Sequence, residues 1–411
     1  MAMHRRKVLK GIAVSGASLA VLKAPYVHAQ GAPFKLGLLT VKTGPLAQGG
    51  IQMEQGVQIY LKEKNNTFAG RKVEFFSADT GGNPAGAKTK VQELVERDKV
   101  DVILGPLAAF ELLAISDYFA QAKTPLMSLA AAEDLTQRKP NPYFLRASAT
   151  SAQAMHPMAD FAAKELKLKK MITISEDFAF GHEQMGGFQQ TFEDNGGRIV
   201  KKLWPPLVTP DYAPYIAQIG DCDGVCQGFA GSNPLRFMKA YAGAGLKFPV
   251  VGGETAGDDA LLRSFGDEAV GLYSCCPYTL DLNTDSNKRF IAAMVKEFNV
   301  EPGFYAAGLY VNCMVVEEGL KKTGGKSDDK EAFMKALKSV TLADTPRGPI
   351  KFDSYGNVIG DFYVRHCEKA GGKLVNKTVK TYKNVSQFWT YDEKKFLSQP
   401  VYSRDFPPLK S

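Results

Sequence analysis

Histidine and cysteine side chains carry much of the acid–base, nucleophilic and metal-binding chemistry of proteins, so their spacing is the first test for an enzyme. The five histidines of the chain are His4, His28, His156, His182 and His366. The last three are widely separated and lack the spacing of metal ligands. Cys222 and Cys226 form a C-x3-C pair without a second pair or a nearby histidine. No metal site is therefore predicted, and His156 is interpreted as structural.

Two further catalytic patterns fail at specific positions. Residues 324–327 read Gly-Gly-Lys-Ser and resemble the end of a phosphate-binding loop, but position 320 is leucine where that loop requires glycine. The run also follows a predicted helix instead of a strand. The chain contains no Gly-x-Ser-x-Gly nucleophile elbow. We therefore predict a protein that is not an enzyme and has no cofactor.

The cysteines leave two interpretations open. They are Cys222, Cys226, Cys275, Cys276, Cys313 and Cys367. An oxidising compartment would permit disulfide bridges, and six cysteines allow 15 full connectivities. Three of them lie in apolar, strand-like runs, where a free cysteine behaves as a small hydrophobic residue. Buried thiols are favoured over a disulfide framework.

The first 29 residues are predicted to be an export signal. A basic stretch containing Arg5-Arg6 precedes a short apolar run from Gly11 to Leu22, and Val27-His-Ala29 is similar to a cleavage site. The apolar run is too short to span a bilayer, which takes about 20 residues. The paired arginines and Lys23 favour the twin-arginine route, with a general secretory signal as the alternative. We expect cleavage near Ala29 and a periplasmic location.

Composition describes a soluble chain that is long enough for two cores. The 411 residues are 45% hydrophobic and 23% charged. The net charge is +8, and the predicted signal holds five lysines and arginines and no acidic residue, which leaves +3 for the exported part. A charge this small does not indicate nucleic acid or an anionic membrane as a partner. We expect a monomer.

Short apolar segments alternate with amphipathic ones along most of the chain, which predicts parallel sheets covered by helices on both faces. The first series has predicted strands at 34–40, 72–78, 100–104 and 125–129, with helices at 51–64, 84–98 and 110–121. The second has strands at 171–175, 198–204, 225–229 and 248–252, with helices at 182–195, 212–219 and 235–243. Two such series predict two similar α/β lobes.

Three segments resemble the periplasmic branched-chain amino-acid-binding family of type I solute-binding proteins. Residues 37–48 read Gly-Leu-Leu-Thr-Val-Lys-Thr-Gly-Pro-Leu-Ala-Gln and are similar to the opening strand and turn of that family. Residues 102–107 and 125–136 are similar to its next two strand ends, and Phe144-Leu-Arg-Ala147 to its crossover strand. The resemblance extends over residues 33–365, and it depends on the order of these blocks.

The resemblance implies two Rossmann-like lobes joined by a three-strand hinge, with a ligand cleft between them. Lobe 1 is expected to comprise residues 30–148 and 277–360, and lobe 2 residues 149–276 and 361–384. Residues 385–411 would form a C-terminal extension packed on lobe 2, and Arg146 would brace the hinge. Such proteins close around a small molecule and deliver it to the membrane permease of an ABC importer, which is therefore the expected partner.

The resemblance also places candidate ligand-binding residues. The pocket serine and threonine of amino-acid-binding relatives fall on Ala109 and Ala132, the pocket tyrosine falls on Phe180, and an aromatic position falls on Gly49. Glu254 matches the acidic residue that holds an ammonium group. The candidate ligand-binding residues are Lys42, Gly49, Ala109, Phe110, Ala130, Ala131, Ala132, Phe180, Phe229, Ala230, Glu254 and Tyr305.

These replacements do not favour an amino acid as the ligand. A desolvated α-carboxylate needs hydrogen-bond donors, and the two alanines remove hydroxyl donors while the backbone N–H groups remain. Gly49 would enlarge the cleft, and the aromatic candidates would provide walls for a flat ring. A small aromatic or hydrophobic carboxylic acid is therefore the expected ligand, with Lys42 or Arg236 as a charged partner and Glu254 accepting from a hydroxyl. Amino-acid or amide uptake, or ligand sensing through a partner protein, are the alternatives.

Overall fold

The computed structural model describes residues 32–410. The predicted export signal and its cleavage site lie outside the described residues. The strands are β1 (Phe34–Thr40), β2 (Thr67–Phe68), β3 (Arg71–Asp79), β4 (Val102–Leu104), β5 (Leu126–Met127), β6 (Phe144–Leu145), β7 (Lys170–Ser175), β8 (Arg198–Leu203), β9 (Gly224–Gly228), β10 (Val250–Gly252), β11 (Tyr273–Cys276), β12 (Ile350–Phe352), β13 (Val358–Ala370) and β14 (Lys373–Val385). The helices are α1 (Ala47–Glu63), α2 (Pro84–Gln92), α3 (Ala109–Gln121), α4 (Ser151–Lys164), α5 (Ala179–Asp194), α6 (Ala213–Ile216), α7 (Asn233–Gly243), α8 (Asp285–Phe298), α9 (Phe304–Lys322), α10 (Lys330–Lys338) and α11 (Glu393–Ser398).

The first sheet has six strands in the order β2-β3-β1-β4-β5-β6, and all neighbours are parallel except the β2–β3 pair at one edge. The central strands are continuous apolar runs because helices cover both faces of a parallel sheet. Helices α1 and α9 pack closely where Gly56 has no side chain. A Cβ atom there would lie 2.2 Å from the carbonyl oxygen of Ala306. We call this unit the first lobe.

The second sheet has the order β12-β13-β11-β10-β9-β7-β8, and β14 pairs with residues 360–370 of β13. Strands β7 to β11 are parallel, whereas β12, β13 and β14 run antiparallel to their neighbours. The long β13–β14 hairpin turns at Gly371-Gly372, both at positive φ. Helices α4 and α5 pack together on this sheet, where a Cβ on Gly187 would lie 2.5 Å from that of Ala152. We call this unit the second lobe.

The chain passes between the two lobes in three segments, near residues 146–150, 277–284 and 339–349. Arg146 lies in the first of them and pairs with the connection from β12 to β13, because its N–H donates to Gly356 O and its carbonyl accepts from Val358 N, each at 2.9 Å. Its buried guanidinium donates to the carbonyl oxygens of Ala130 and Ala132 and to Asn357 Oδ1, at 3.2, 2.9 and 3.1 Å. Such a network fixes the first crossover segment against its neighbours.

The C-terminal segment, residues 386–410, contacts both lobes. Tyr391 donates to Asp194 on α5 at 2.8 Å, while Arg138 of the first lobe donates to Gln399 O at 2.8 Å. The predicted division of the chain into lobes remains a prediction. Strand β12, which that division assigns to lobe 1, pairs with β13 of the second sheet.

All six cysteines are free thiols, and only Cys222 is partly exposed. Among residues 32–410, no group of three or more His, Cys, Asp or Glu side chains is arranged to hold a metal ion. None of the helices in this range combines the length and apolar character that crossing a membrane requires. His156 is buried, with its Nδ1 atom 2.8 Å from Thr191 Oγ1, and burial lowers its pKa to about 3.

Candidate functional site

A cleft lies where the carboxyl ends of the two parallel sheets face each other, which is where ligands bind in open α/β sheets. The loops after β1, β4, β5 and the start of α9 form one wall, and those after β7, β9 and β10 form the other. The lining residues are Leu46, Leu107, Ala108, Ala109, Leu129, Ala131, Phe178, Phe180, Ala230, Glu254, Thr255, Phe304 and Tyr305.

The cleft is narrow in this conformation. The space free of protein atoms, including solvent at its mouth, is about 350 Å³, and the centre of a water molecule fits within about 20 Å³ of it. One water needs about 10–15 Å³ by this measure. A ligand larger than a water molecule can therefore enter only if the two walls separate. The walls would then close again around it.

On the first lobe, the wall depends on the turn after β4. Gly105 has φ +84°, and a Cβ there would lie 2.0 Å from Leu39 O, so glycine is required at this position. The chain then reaches Ala108 and Ala109, where α3 begins. The first N–H groups of a helix have no intrahelical partner. The wall therefore combines apolar side chains with the N-terminal backbone of α3.

On the second lobe, Glu254 is the only charged residue in the lining. Its side chain is 3% exposed, and Oε2 has no hydrogen-bond partner. Burial raises the pKa of Glu254 to about 8, with a smaller contribution from the charge of Glu133. Near neutral pH the carboxyl is therefore largely protonated, so it can donate one hydrogen bond and accept another.

Hydrogen bonds beside the cleft hold the neighbouring loops of the second lobe in place. Glu176 Oε1 accepts from Ala230 N and Asn233 Nδ2, at 2.9 and 3.0 Å. Thr255 donates to Phe229 O at 2.6 Å. These bonds hold the loops after β9 and β10 beside each other and set the position of the Glu254 carboxyl.

Aromatic rings close two sides of the cleft. Phe178 and Phe180 stack at 5.9 Å between centroids on the second lobe, and Phe110 of the first lobe meets Phe178 edge-on at 5.6 Å. Phe304 and Tyr305 form an edge-on pair at 5.3 Å on the opposite wall. A planar ring inserted between these groups would find faces and edges in the offset geometry that aromatic groups prefer.

Polar contacts beside the cleft join the two walls. Ser232 N donates to Pro45 O at 3.1 Å, and Phe304 N donates to Asp258 Oδ2 at 2.9 Å. Each contact has one partner in each lobe. The structure therefore describes a closed arrangement of the two lobes.

Six of the predicted site residues lie together in the lining: Ala109, Ala131, Phe180, Ala230, Glu254 and Tyr305. Ala130 and Ala132 adjoin this wall through their backbone, and Phe110 lies behind Phe178. Gly49 does not open space in the cleft. A Cβ there would lie 2.9 Å from Leu107 and 3.0 Å from Tyr305, so glycine makes room for these two lining residues.

Three other residues that were expected to contact the ligand lie away from the lining. Lys42 forms an ion pair with Glu54 at 2.8 Å. Phe229 packs in the core of the second lobe against Tyr212 and Phe237, at 5.2 and 4.9 Å between ring centroids. Arg236 donates to Pro210 O and Asn233 Oδ1.

Sequence reasoning did not identify the remaining lining residues, Leu46, Leu107, Ala108, Leu129, Phe178, Thr255 and Phe304. Most of them lie within a few residues after the end of a parallel strand. The carboxyl ends of the predicted strands are the sequence signal that would have found them.

A sequence profile described as "Periplasmic binding protein" matches residues 33–373. Among curated proteins, the chain is 29% identical over 386 residues to "Leu/Ile/Val-binding protein homolog 6" of Brucella suis biovar 1. That alignment covers 91% of this chain and 97% of the relative.

Two solved structures are similar over nearly their whole length. A solute-binding protein of an ABC transporter from Rhodopseudomonas palustris BisB5, in complex with 3,4-dihydroxybenzoic acid, is 34% identical with a TM-score of 0.82. The match covers 86% of this chain and 98% of that protein. Another ABC-transporter solute-binding protein, from R. palustris in complex with 4-hydroxybenzoate, is 30% identical with a TM-score of 0.81. The match covers 87% of this chain and 98% of that protein.

Proposed function

The chain belongs to the periplasmic binding protein family, and from this premise we propose that it is the substrate-binding component of an ABC importer for a small aromatic carboxylic acid. The family and its solved neighbours are binding proteins and not enzymes. Membership implies export, a small-molecule ligand and a permease partner. We further propose that the ligand is an aromatic acid and that the protein is periplasmic.

The observation that carries the proposal is the composition of the cleft. Its lining holds four aromatic rings, seven aliphatic residues, one threonine and one glutamate, and none of these thirteen residues is a lysine or arginine. A ring can bury both faces there, and the hydrophobic gain is about 25 cal/mol for each Å² removed from water. The solved neighbours that hold 3,4-dihydroxybenzoic acid and 4-hydroxybenzoate support the same class of ligand.

The two ends of the ligand would meet different groups. The carboxylate would lie at the N-terminus of α3, where Ala108 and Ala109 line the cleft and backbone N–H groups can bind an anion. The far end of the ring would reach Glu254 and Thr255 on the second lobe. Because the Glu254 carboxyl keeps an unpartnered oxygen, it can accept a hydrogen bond from a ring hydroxyl.

A panel of ligands tests the proposal by thermal shift followed by calorimetry. The panel comprises benzoate, 4-hydroxybenzoate, 3,4-dihydroxybenzoate, cyclohexanecarboxylate, leucine and a simple amide, after any co-purified ligand has been removed by unfolding and refolding. We expect binding of the benzoates, with weaker binding of cyclohexanecarboxylate because its ring is not planar. Binding of leucine with no response to any benzoate would overturn the aromatic-acid assignment.

Amino-acid uptake remains the second candidate, because the Brucella suis relative is named a Leu/Ile/Val-binding protein homolog. Glu254 occupies the position expected to hold an ammonium group. Binding of an α-amino acid would ionise this carboxyl, whereas a benzoate would leave it protonated. The number of protons exchanged on binding, measured by calorimetry in two buffers of different ionisation enthalpy, separates the two candidates.

A further inference from the structure

Two buried glutamates beside the cleft each bind backbone N–H groups of the opposite lobe. Glu183 on α5 of the second lobe accepts from Ala132 N and Glu133 N of the first lobe, at 3.2 and 3.1 Å to Oε1. In return, Glu133 accepts from Ala152 N, at the start of α4 in the second lobe, at 2.8 Å. The contacts are reciprocal, because each lobe supplies a carboxyl group to backbone N–H groups of the other lobe.

The residue between these contacts has a strained backbone. Ala132 has φ +87°, a left-handed conformation that is unfavourable for a non-glycine residue and persists only where its surroundings hold it. Its N–H is bound by Glu183 of the second lobe, and its carbonyl oxygen is bound by Arg146 of the crossover strand at 2.9 Å. The preceding residue, Ala131, lines the cleft. The contact between the lobes therefore helps to set the shape of the ligand site.

We propose that Glu183 and Glu133 act as reciprocal interlobe caps, and that Glu183 is a positioning residue that fixes the Ala131–Ala132 wall when the lobes close. Neither side chain lines the cleft, so Glu183 acts on the ligand through this backbone. Opening the lobes would release the caps and the strained turn together. Closure would restore both, which couples the shape of the wall to the closed state.

The charges around the pair fit such a contact. Glu183 is 3% exposed and Glu133 2%. Burial raises the pKa of both, and the Arg146 guanidinium acts in the opposite direction. Arg138 also lies near Glu133 and lowers its pKa. Burial of the two carboxyls and the charge of Glu133 beside Glu183 favour the protonated form in the closed state, and Arg146 opposes it.

The test compares Glu183→Ala, Glu183→Gln and Glu193→Ala in the purified protein. Glu193 is the matched control, because it lies on the same helix and accepts from Gln189 Nε2 and Ile199 N within the second lobe. The affinity and dissociation rate of 4-hydroxybenzoate form one arm, which depends on the proposed function. Hydrogen exchange of the amides of Ala132 and Glu133 forms the other arm, which needs no ligand.

For Glu183→Ala we expect about 10- to 100-fold weaker binding, mainly through faster dissociation, since a hydrogen bond to a buried charged group is lost. The two amides should exchange faster. Glu183→Gln keeps an acceptor oxygen and should recover most of both effects, whereas Glu193→Ala should lower the melting temperature and leave affinity unchanged.

Several results would overturn the proposal. Unaltered amide exchange in Glu183→Ala would do so, as would an equal loss of affinity in Glu193→Ala or the absence of any recovery in Glu183→Gln. If the unmodified protein does not bind any benzoate, the proposed function fails. The exchange of the two amides then decides the role of Glu183 without a ligand.

Discussion

The two walls of the cleft differ in the source of their polar groups. The first lobe contributes the apolar side chains of Leu107, Ala109 and Leu129, with Phe304 and Tyr305, and helix α3 begins at this wall. The second lobe contributes Glu254 and Thr255 beside its aromatic pair. One wall thus places a helix N-terminus in a mostly apolar surface, and the other offers a carboxyl side chain.

This difference assigns separate tasks to the walls. Backbone donors can bind a carboxylate without adding a charge that would bind every anion, while the apolar surface accepts the ring. Under the proposed function, the wall with Glu254 would meet the far end of the ligand and could distinguish ring substituents. A ligand that bridges both walls would stabilise the closed form according to its difference in affinity for the closed and open states.

We expect the largest effect on binding from a charge placed on the first wall. We expect Ala109→Asp to weaken the binding of benzoate by about 100-fold or more, because a buried carboxylate beside the carboxylate of the ligand is costly. Calorimetry measures the change. Ala109→Asn has nearly the same size and is the matched control, with a distinctly smaller loss. Equal losses in both variants would mean that the ligand carboxylate does not lie at α3.

A second variant prevents the walls from meeting. In Gly303→Ala the new Cβ would lie 1.8 Å from Asp258 Oδ1, and Asp258 is held by hydrogen bonds to Ala260 N and Phe304 N. We expect about tenfold weaker binding, roughly the effect of one lost hydrogen bond to a charged group, with little change in melting temperature without ligand. Faster dissociation in stopped-flow experiments would locate the effect in the closed state.

Gly243→Ala is the control for this variant, because a Cβ at Gly243, at the end of α7, would meet no atom within 4 Å. It should bind benzoate as the unmodified protein does. A Gly303→Ala protein that also binds normally would show that the contact between Asp258 and Phe304 is not part of the ligand-bound state.

The last effect concerns the titration of the Glu254 carboxyl on the second wall. Closure favours protonated Glu254, since burial raises its pKa to about 8. The associated stabilisation is present at lower pH and is lost as the pH rises through that value. Benzoate, whose own charge is constant in this range, should therefore bind more weakly at pH 9 than at pH 6, with an upper limit of about 100-fold if the open state restores the ordinary pKa of this carboxyl. Calorimetry at each pH should show a smaller decrease for Glu254→Gln, and equal slopes would exclude Glu254 as the cause.

The sequence predicts the fold well because its strands are of the buried, parallel kind. Residues 34–40 and 171–175 are mostly apolar, and they lie in β1 and β7. The solved neighbours confirm the predicted type I periplasmic-binding-protein fold and the family resemblance. The hairpin of β13 and β14 was not predicted. Its outer strand is rich in exposed lysines, which do not produce an apolar strand pattern.

The site is less predictable because it depends on the direction of single side chains. Phe229 and Ala230 are adjacent at the end of β9, yet Phe229 enters the core and Ala230 lines the cleft. The side chains of successive residues in an extended segment point to opposite sides. An alignment error of one residue therefore assigns a core residue to the cleft. The ion pair of Lys42 with Glu54 depends on the position of α1 beside the turn, which spacing alone does not reveal.

A crystal structure of the protein with 4-hydroxybenzoate tests the division of the cleft most directly. We predict that the carboxylate lies within hydrogen-bond distance of the N–H groups at the start of α3, that the ring lies between Phe180 and Tyr305, and that the 4-hydroxyl group contacts Glu254. A ligand bound in the reverse direction, with its carboxylate at Glu254 and its hydroxyl at α3, would contradict the account.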